Sequence, residues 1–170
     1  MSEGSLNEVN IAQVGDLIEK IKADPEKAQT KWSAEVKWKE GFRSEATIRQ
    51  FSGLGSDEPE GLGGDDTAPN PVEQVLAALG NCLAVGYAAG ATARQIKIDE
   101  LTLHLEGELN LKTFLGLEQG NAGFENIQVK VAIKSDADKT TIDELHRSVI
   151  STSPVGHTIT RAVPVDIELI

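Results

Sequence analysis

Hydrophobic residues in this chain change period several times, and each change marks an element. Val14, Leu17, Ile18 and Ile21 recur at helical spacing as far as Asp24 and Pro25. This predicts an amphipathic helix over about 7–23 that docks on the rest of the chain. From Trp32 the period becomes two: Trp32, Ala34, Val36 and Trp38 alternate with Ser33, Glu35, Lys37 and Lys39. That is the pattern of a half-buried strand. Gly41 marks a turn, and residues 43–51 read as the returning strand of a hairpin.

Residues 53–69 carry five glycines and two prolines, with Asp57, Glu58, Asp65 and Asp66 among their five carboxylates, and read as a flexible acidic loop. The loop lacks the lysine and hydroxyl of a phosphate-binding loop, its carboxylates would repel phosphate, and the calcium-loop spacing is absent. Asn70, Pro71 and Glu73 then form a strong helix start: a good N-cap, a proline at the first helical position and a carboxylate placed for a capping box. The helix should run to about residue 93. It is apolar or small nearly all round, which predicts a central, buried helix. It is nearly long enough to span a membrane, but it is rich in Ala and Gly, contains Asn81 and has no basic flank, so a buried helix of a soluble domain is the better reading.

Alternation returns at 98–111 through Leu101, Leu103 and Leu105, and at 124–134 through Ile127, Val129, Val131 and Ile133. Thr141 with Glu144 opens another helix with Ile142, Leu145 and Val149 on one face, and Ser153 with Pro154 ends it and caps a further short turn. Val163, Val165, Ile167 and Leu169 predict a final strand. The order of elements is that of an α+β domain with antiparallel pairing.

Composition narrows the function. At 170 residues one main domain is expected, with 1–30 as an N-terminal helical extension and 31–170 as the domain proper. Sixteen basic against 27 acidic residues give a net charge of −11, which argues against nucleic-acid and anionic-membrane partners. The first residues lack the basic and apolar blocks of a secretory signal, and one cysteine excludes an internal disulfide. A cytoplasmic protein with a reduced thiol is expected. No His or Cys spacing suggests a metal, and no cofactor motif is present. His104 and His146 read as surface residues, and Trp32 and Trp38 as core or interface residues.

The candidate chemistry is the single Cys82, inside the most apolar stretch. A free cysteine is either a small buried hydrophobe or a nucleophile whose surroundings favour the thiolate. Cys82 lies more than three turns into its helix, beyond the reach of the helix N-terminus, and Leu79, Leu83 and Val85 disfavour its ionisation. Without a cationic partner it should be inert.

The residues from Leu62 through Asp66, and from Ala68 through Asn81, Cys82 and Leu83, resemble the OsmC/Ohr superfamily of osmotically inducible and organic-hydroperoxide-resistance proteins. Leu105 through Leu111, Phe114 through Gly116, Gly123 through Ile127, and Ser153 through Val155 extend the resemblance, in order, over about 32–170. The resemblance implies an intertwined homodimer, with a sheet wrapped around buried central helices and active sites at the subunit interface. It also implies a thiol-dependent peroxidase: Cys82 attacks a hydroperoxide and becomes a sulfenic acid, with an Arg and a Glu polarising the site. Arg43 is the candidate arginine, Arg49 the alternative, and Glu73 the candidate carboxylate.

The chain departs from that pattern in two places. Ser153 stands where the peroxidase branch has its second, resolving thiol, so an external thiol would have to reduce Cys82; capping is the plainer account of Ser153. The organic-hydroperoxide branch carries its carboxylate one residue earlier, at Val72 here. Glu73, nine residues before Cys82, lies on the opposite helix face, so capping is its better role within one chain. His157, four residues after Ser153, could approach the site. Two functions stay open: a one-cysteine peroxidase, or a non-catalytic relative of the same fold that binds a small apolar ligand or acts in the stress response.

Overall fold

In the computed structural model, which describes residues 6–170, the longest element begins where its capping signal stands. Asn70 Oδ1 accepts the Glu73 N–H at 2.9 Å, and Glu73 Oε2 accepts the Asn70 N–H at 2.8 Å. This reciprocal box satisfies two N–H groups that a helix start leaves without partners. Helix α2 follows as Pro71–Ala93. Upstream are α1 (Ile11–Ala23) and a meander of β1 (Glu35–Glu40), β2 (Arg43–Ile48) and β3 (Phe51–Ser56). Downstream are β4 (Glu100–Leu109), the one-turn α3 (Leu111–Phe114), β5 (Phe124–Lys134), α4 (Lys139–Thr152) and α5 (Pro154–Ile159). The α+β class and the antiparallel pairing are those the sequence predicted.

The chain divides into two compact units, one of Ala12–Val75 and one of Leu76–Ile170 together with residues 6–11. The first holds the three-stranded sheet β1-β2-β3. The return from β1 comes back as two strands rather than one. Residues 49 and 50 form a turn with Arg49 in the left-handed region (φ 55°), and β3 takes in Gly53 and Gly55, which the sequence had placed in the loop. The sheet leaves Val36 63 % and Trp38 73 % exposed, so the half-buried strand expected here is an exposed one in the single chain. Helix α1 likewise buries none of its residues, and Val14, Leu17 and Ile18 are exposed.

The loop after β3 is an organised one, not a flexible acidic one. Asp57 is 1 % exposed and its carboxylate accepts the N–H groups of Glu58, Asp65 and Thr67 and the Thr67 hydroxyl. Burial pushes its pKa up, but the bonds from Thr67, Glu58 and Asp65 outweigh burial and hold it below the ordinary carboxylate value.

The second unit contains the core. Leu79, Leu83, Tyr87 and Ala91, four apart on α2, meet Leu145 and Val149 of α4, with Ile96. Strands β4 and β5 pair in register as Leu101 with Ile133, Leu103 with Val131 and Leu105 with Val129, so the inner face of the ribbon is aliphatic and packs on this cluster. Helix α4 starts two residues before Thr141, because Asp138 Oδ1 accepts the Thr141 N–H at 2.9 Å and caps it. Asn7 clips the N-terminal turn to the end of α2: its amide donates to the Ile96 carbonyl at 2.9 Å and accepts the Ile98 N–H at 2.9 Å.

Two expectations need correction. Helix α2 is long and apolar enough to cross a membrane, yet one face of it builds the core. It is not buried all round: Val85 is 70 % exposed, because within one chain only that face meets β4, β5 and α4. No strand forms at 163–169. Val165, Ile167 and Leu169 stand in solvent, and the segment pairs with no strand among the described residues.

Candidate functional site

Cys82 is half-buried on α2. Its Sγ lies 3.3 Å from the Oγ of Ser153, which is 4 % exposed at the junction of α4 and α5. Ser153 Oγ also accepts the Gly156 N–H at 3.0 Å and so caps α5, with Pro154 in the first turn. A hydroxyl has one proton to give. Accepting the Gly156 N–H uses one of its two lone pairs, so the Ser153–Cys82 contact can run either way: Oγ–H to sulfur, or S–H to oxygen.

The remaining sequence candidates are engaged with partners of their own. Glu73 is bound in the capping box with Asn70. Arg43 pairs with Asp65 and, at 3.4 Å, with Glu40. Asp65 is itself fixed through its N–H on Asp57, so the buried Asp57 positions the carboxylate that holds Arg43. Arg49 stacks over the Phe51 ring at 5.2 Å. His157 donates from Nε2 to the Ser151 carbonyl at 3.1 Å, close in sequence to Ser153. His104 sits exposed beside Glu106 at 3.3 Å. Among the described residues, no three His, Cys, Asp or Glu side chains gather in a way that could hold a metal ion.

Sequence reasoning missed one pair. His146 is half-buried, not a surface residue, and its Nδ1 is hydrogen-bonded to the phenol of Tyr87, with the rings stacked at 6.1 Å between centroids. Tyr87 is 1 % exposed, and burial pushes its phenol up. The signal was present: Tyr87 follows Leu79 and Leu83 at i+4 spacing on the most apolar helix, and a hydroxyl on such a face needs a partner. Tyr87, His146 and Ser153 all line a cavity of about 470 Å³ between α2, β5, α4 and α5.

A scan of family descriptions matches residues 63–168 to the OsmC-like protein family. The chain therefore belongs to that family. Among solved structures it is similar to an OsmC-like protein from Mycoplasma pneumoniae (TM-score 0.68, 21 % identity, 78 % of this chain and 89 % of that one). It is also similar to an organic hydroperoxide resistance protein OsmC from Legionella pneumophila (TM-score 0.58, 16 % identity, 77 % and 91 %). At these identities the likeness shows the fold. No curated protein matches the chain.

Proposed function

We propose that this protein is a one-cysteine, thiol-dependent peroxidase acting on organic hydroperoxides or hydrogen peroxide in the oxidative stress response of the cytoplasm. The observation that carries the reading is the 3.3 Å contact between Cys82 Sγ and the buried Ser153 hydroxyl. Family membership and the hydroperoxide-resistance relative from Legionella support it.

In this reading the Cys82 thiolate attacks the outer oxygen of ROOH. The S–O bond forms as the O–O bond breaks, the alkoxide leaves with a proton as ROH, and the sulfur becomes a sulfenic acid. An external thiol then displaces water to give a mixed disulfide, and a second thiol releases Cys82 and an oxidised dithiol. Ser153 cannot resolve the sulfenic acid as a second cysteine would. Arg43 is the candidate for the cation that stabilises the thiolate, and Glu73 the candidate carboxylate in addition to its capping role.

A homodimer belongs to the same proposal. The exposed apolar residues of β1 and β3 and the unpaired alternating segment at 163–169 are the kind of surface a second copy covers. Light scattering on the purified chain should give twice the mass of 18.2 kDa. The test of the activity is hydroperoxide consumption with a dithiol reductant. Cys82→Ala should abolish it and Arg43→Ala should slow it; equal consumption by Cys82→Ala overturns the reading.

A further inference from the structure

The cavity beside α2 has an apolar wall with one open polar corner. Leu83, Ile127, Val129 and Ile150 form much of the wall, and Tyr87 and His146 form the corner. Its volume of about 470 Å³ falls within the roughly 300–1,000 Å³ that small-molecule sites occupy.

The protons at that corner can be assigned by counting partners. The Tyr87 hydroxyl is buried, and among the described residues its one partner is His146 Nδ1. If Nδ1 carried a hydrogen and donated to the phenol, the phenol proton would be buried with no acceptor, which costs about 1–3 kcal/mol. Tyr87 therefore donates and Nδ1 accepts. Burial of the phenol, which disfavours its ionisation, agrees with this. A neutral imidazole that accepts at Nδ1 carries its hydrogen on Nε2.

The other donors around the cavity are already engaged. Ser151 Oγ donates to the Ser148 carbonyl at 2.9 Å, Thr160 Oγ1 to the Gly156 carbonyl at 2.9 Å, and His157 Nε2 to the Ser151 carbonyl at 3.1 Å. Ser153 faces Cys82. The ring of His146 shows no hydrogen bond other than that to Tyr87 among the described residues, and Asp143, one turn back on α4, acts on it through charge alone and does not line this cavity, so Nε2–H is the donor this apolar wall offers to a guest. No Lys or Arg lines the cavity and the chain carries a net charge of −11, so nothing there would neutralise a buried carboxylate.

The geometry points to a small-molecule site in this cavity that takes an uncharged, largely apolar compound bearing one carbonyl-type oxygen, held by the Nε2–H of His146. The inference goes beyond the peroxidase reading and does not depend on it: the cavity shares Ser153 with that site, but Cys82 does not line it and the proposed contact is made by His146.

Acetophenone and ethylbenzene form a matched pair of probes, alike in shape and different in the single acceptor. Titrations of the purified full chain, followed by protein NMR, should show saturable binding of both. The ketone should bind more tightly by roughly three- to tenfold, the size of one hydrogen bond. His146→Phe should erase the preference while keeping the ring and its packing. His146→Gln, which retains an N–H, should keep part of it. Tyr87→Phe should shrink it, because the imidazole is then free to take the other tautomer. The preference is a ratio within one protein, so a loss of stability in a variant does not mimic it. Cys82→Ser should leave the preference intact while removing peroxide consumption, so the two proposals can fail separately. A wild-type protein that binds neither probe, that does not distinguish them, or whose preference survives His146→Phe overturns the assignment. If a second copy of the chain fills the cavity, neither probe binds and His146→Phe shifts dimer dissociation instead, which also overturns it.

Discussion

Gly86 gives the sharpest test of how the core is packed. A Cβ built at this position would lie 2.9 Å from Cγ1 of Val149, and Val149 is buried on α4. On helix propensity alone Gly→Ala should stabilise, by about 0.8–1 kcal/mol. The contact opposes this. Val149 is β-branched and held to one main rotamer in a helix, so it cannot turn aside, and forcing a methyl into a filled core costs about 1–3 kcal/mol. The second effect wins, and Gly86→Ala should lose about 0.5–2 kcal/mol. With a urea slope of about 2 kcal/mol/M, each kcal/mol lowers the midpoint by ~0.5 M. Urea unfolding followed by far-UV circular dichroism reads this directly. Gly15, on α1, has nothing within 4 Å of its would-be Cβ, and Gly15→Ala should be neutral or stabilising by up to about 1 kcal/mol. In a Val149→Ala background the clash is gone, so Gly86→Ala should become neutral or favourable, with a coupling energy of about 1 kcal/mol or more. If Gly86→Ala is as stable as the parent, or costs the same with and without Val149, the close approach of α2 and α4 is wrong.

Three further outcomes follow from the geometry. Asn70→Ala removes the cap of α2 and should cost about 1 kcal/mol in the same urea assay; no change would mean that the box with Glu73 is unimportant. Asp57 has its folded pKa held below the ordinary value of 3.8, so its stabilising contribution is present above that value and is lost as pH falls through the lower, folded value. Asp57→Asn should therefore lower the melting temperature at pH 7 and flatten its dependence on pH in the acid range; an unchanged acid profile would count against the buried carboxylate. Ser153→Cys would place a second sulfur where Oγ now stands, 3.3 Å from Cys82 Sγ, and a modest approach reaches the S–S bond length of about 2.05 Å. Mild oxidation should then consume both free thiols at once, and two persistent thiols would show that the side chains do not face each other.

How much of this could be read in the sequence depended on whether the signal was local. The capping residues Asn70 and Glu73 set the start of α2, and the aliphatic alternation at Leu101–Leu103–Leu105 and Val129–Val131–Ile133 set β4 and β5, because turn chemistry and period are written in neighbouring residues. Gly53 and Gly55 misled, since glycine reads as loop while β3 accommodates both. The one-turn α3 was too short to carry a period; it rests on Asn110, whose side chain accepts the Lys112 N–H. The segment at 163–169 has a strand pattern but needs an edge from outside its own stretch, and a pattern does not supply a partner. The site divides in the same way. Cys82 and Ser153 were singled out one by one, but their contact spans 71 positions. Tyr87 and His146 meet across 59, and no local period links a phenol on one helix to an imidazole on another.

The central claim is that Cys82 is a working nucleophile, and its own oxidation tests that claim most directly. A stoichiometric pulse of cumene hydroperoxide, followed by a sulfenic-acid trapping reagent and mass spectrometry of the peptide containing Cys82, should show one adduct per chain, and the adduct should vanish when a thiol is added before the trap. A Cys82 peptide that emerges unmodified, while the hydroperoxide remains unspent, would contradict the account.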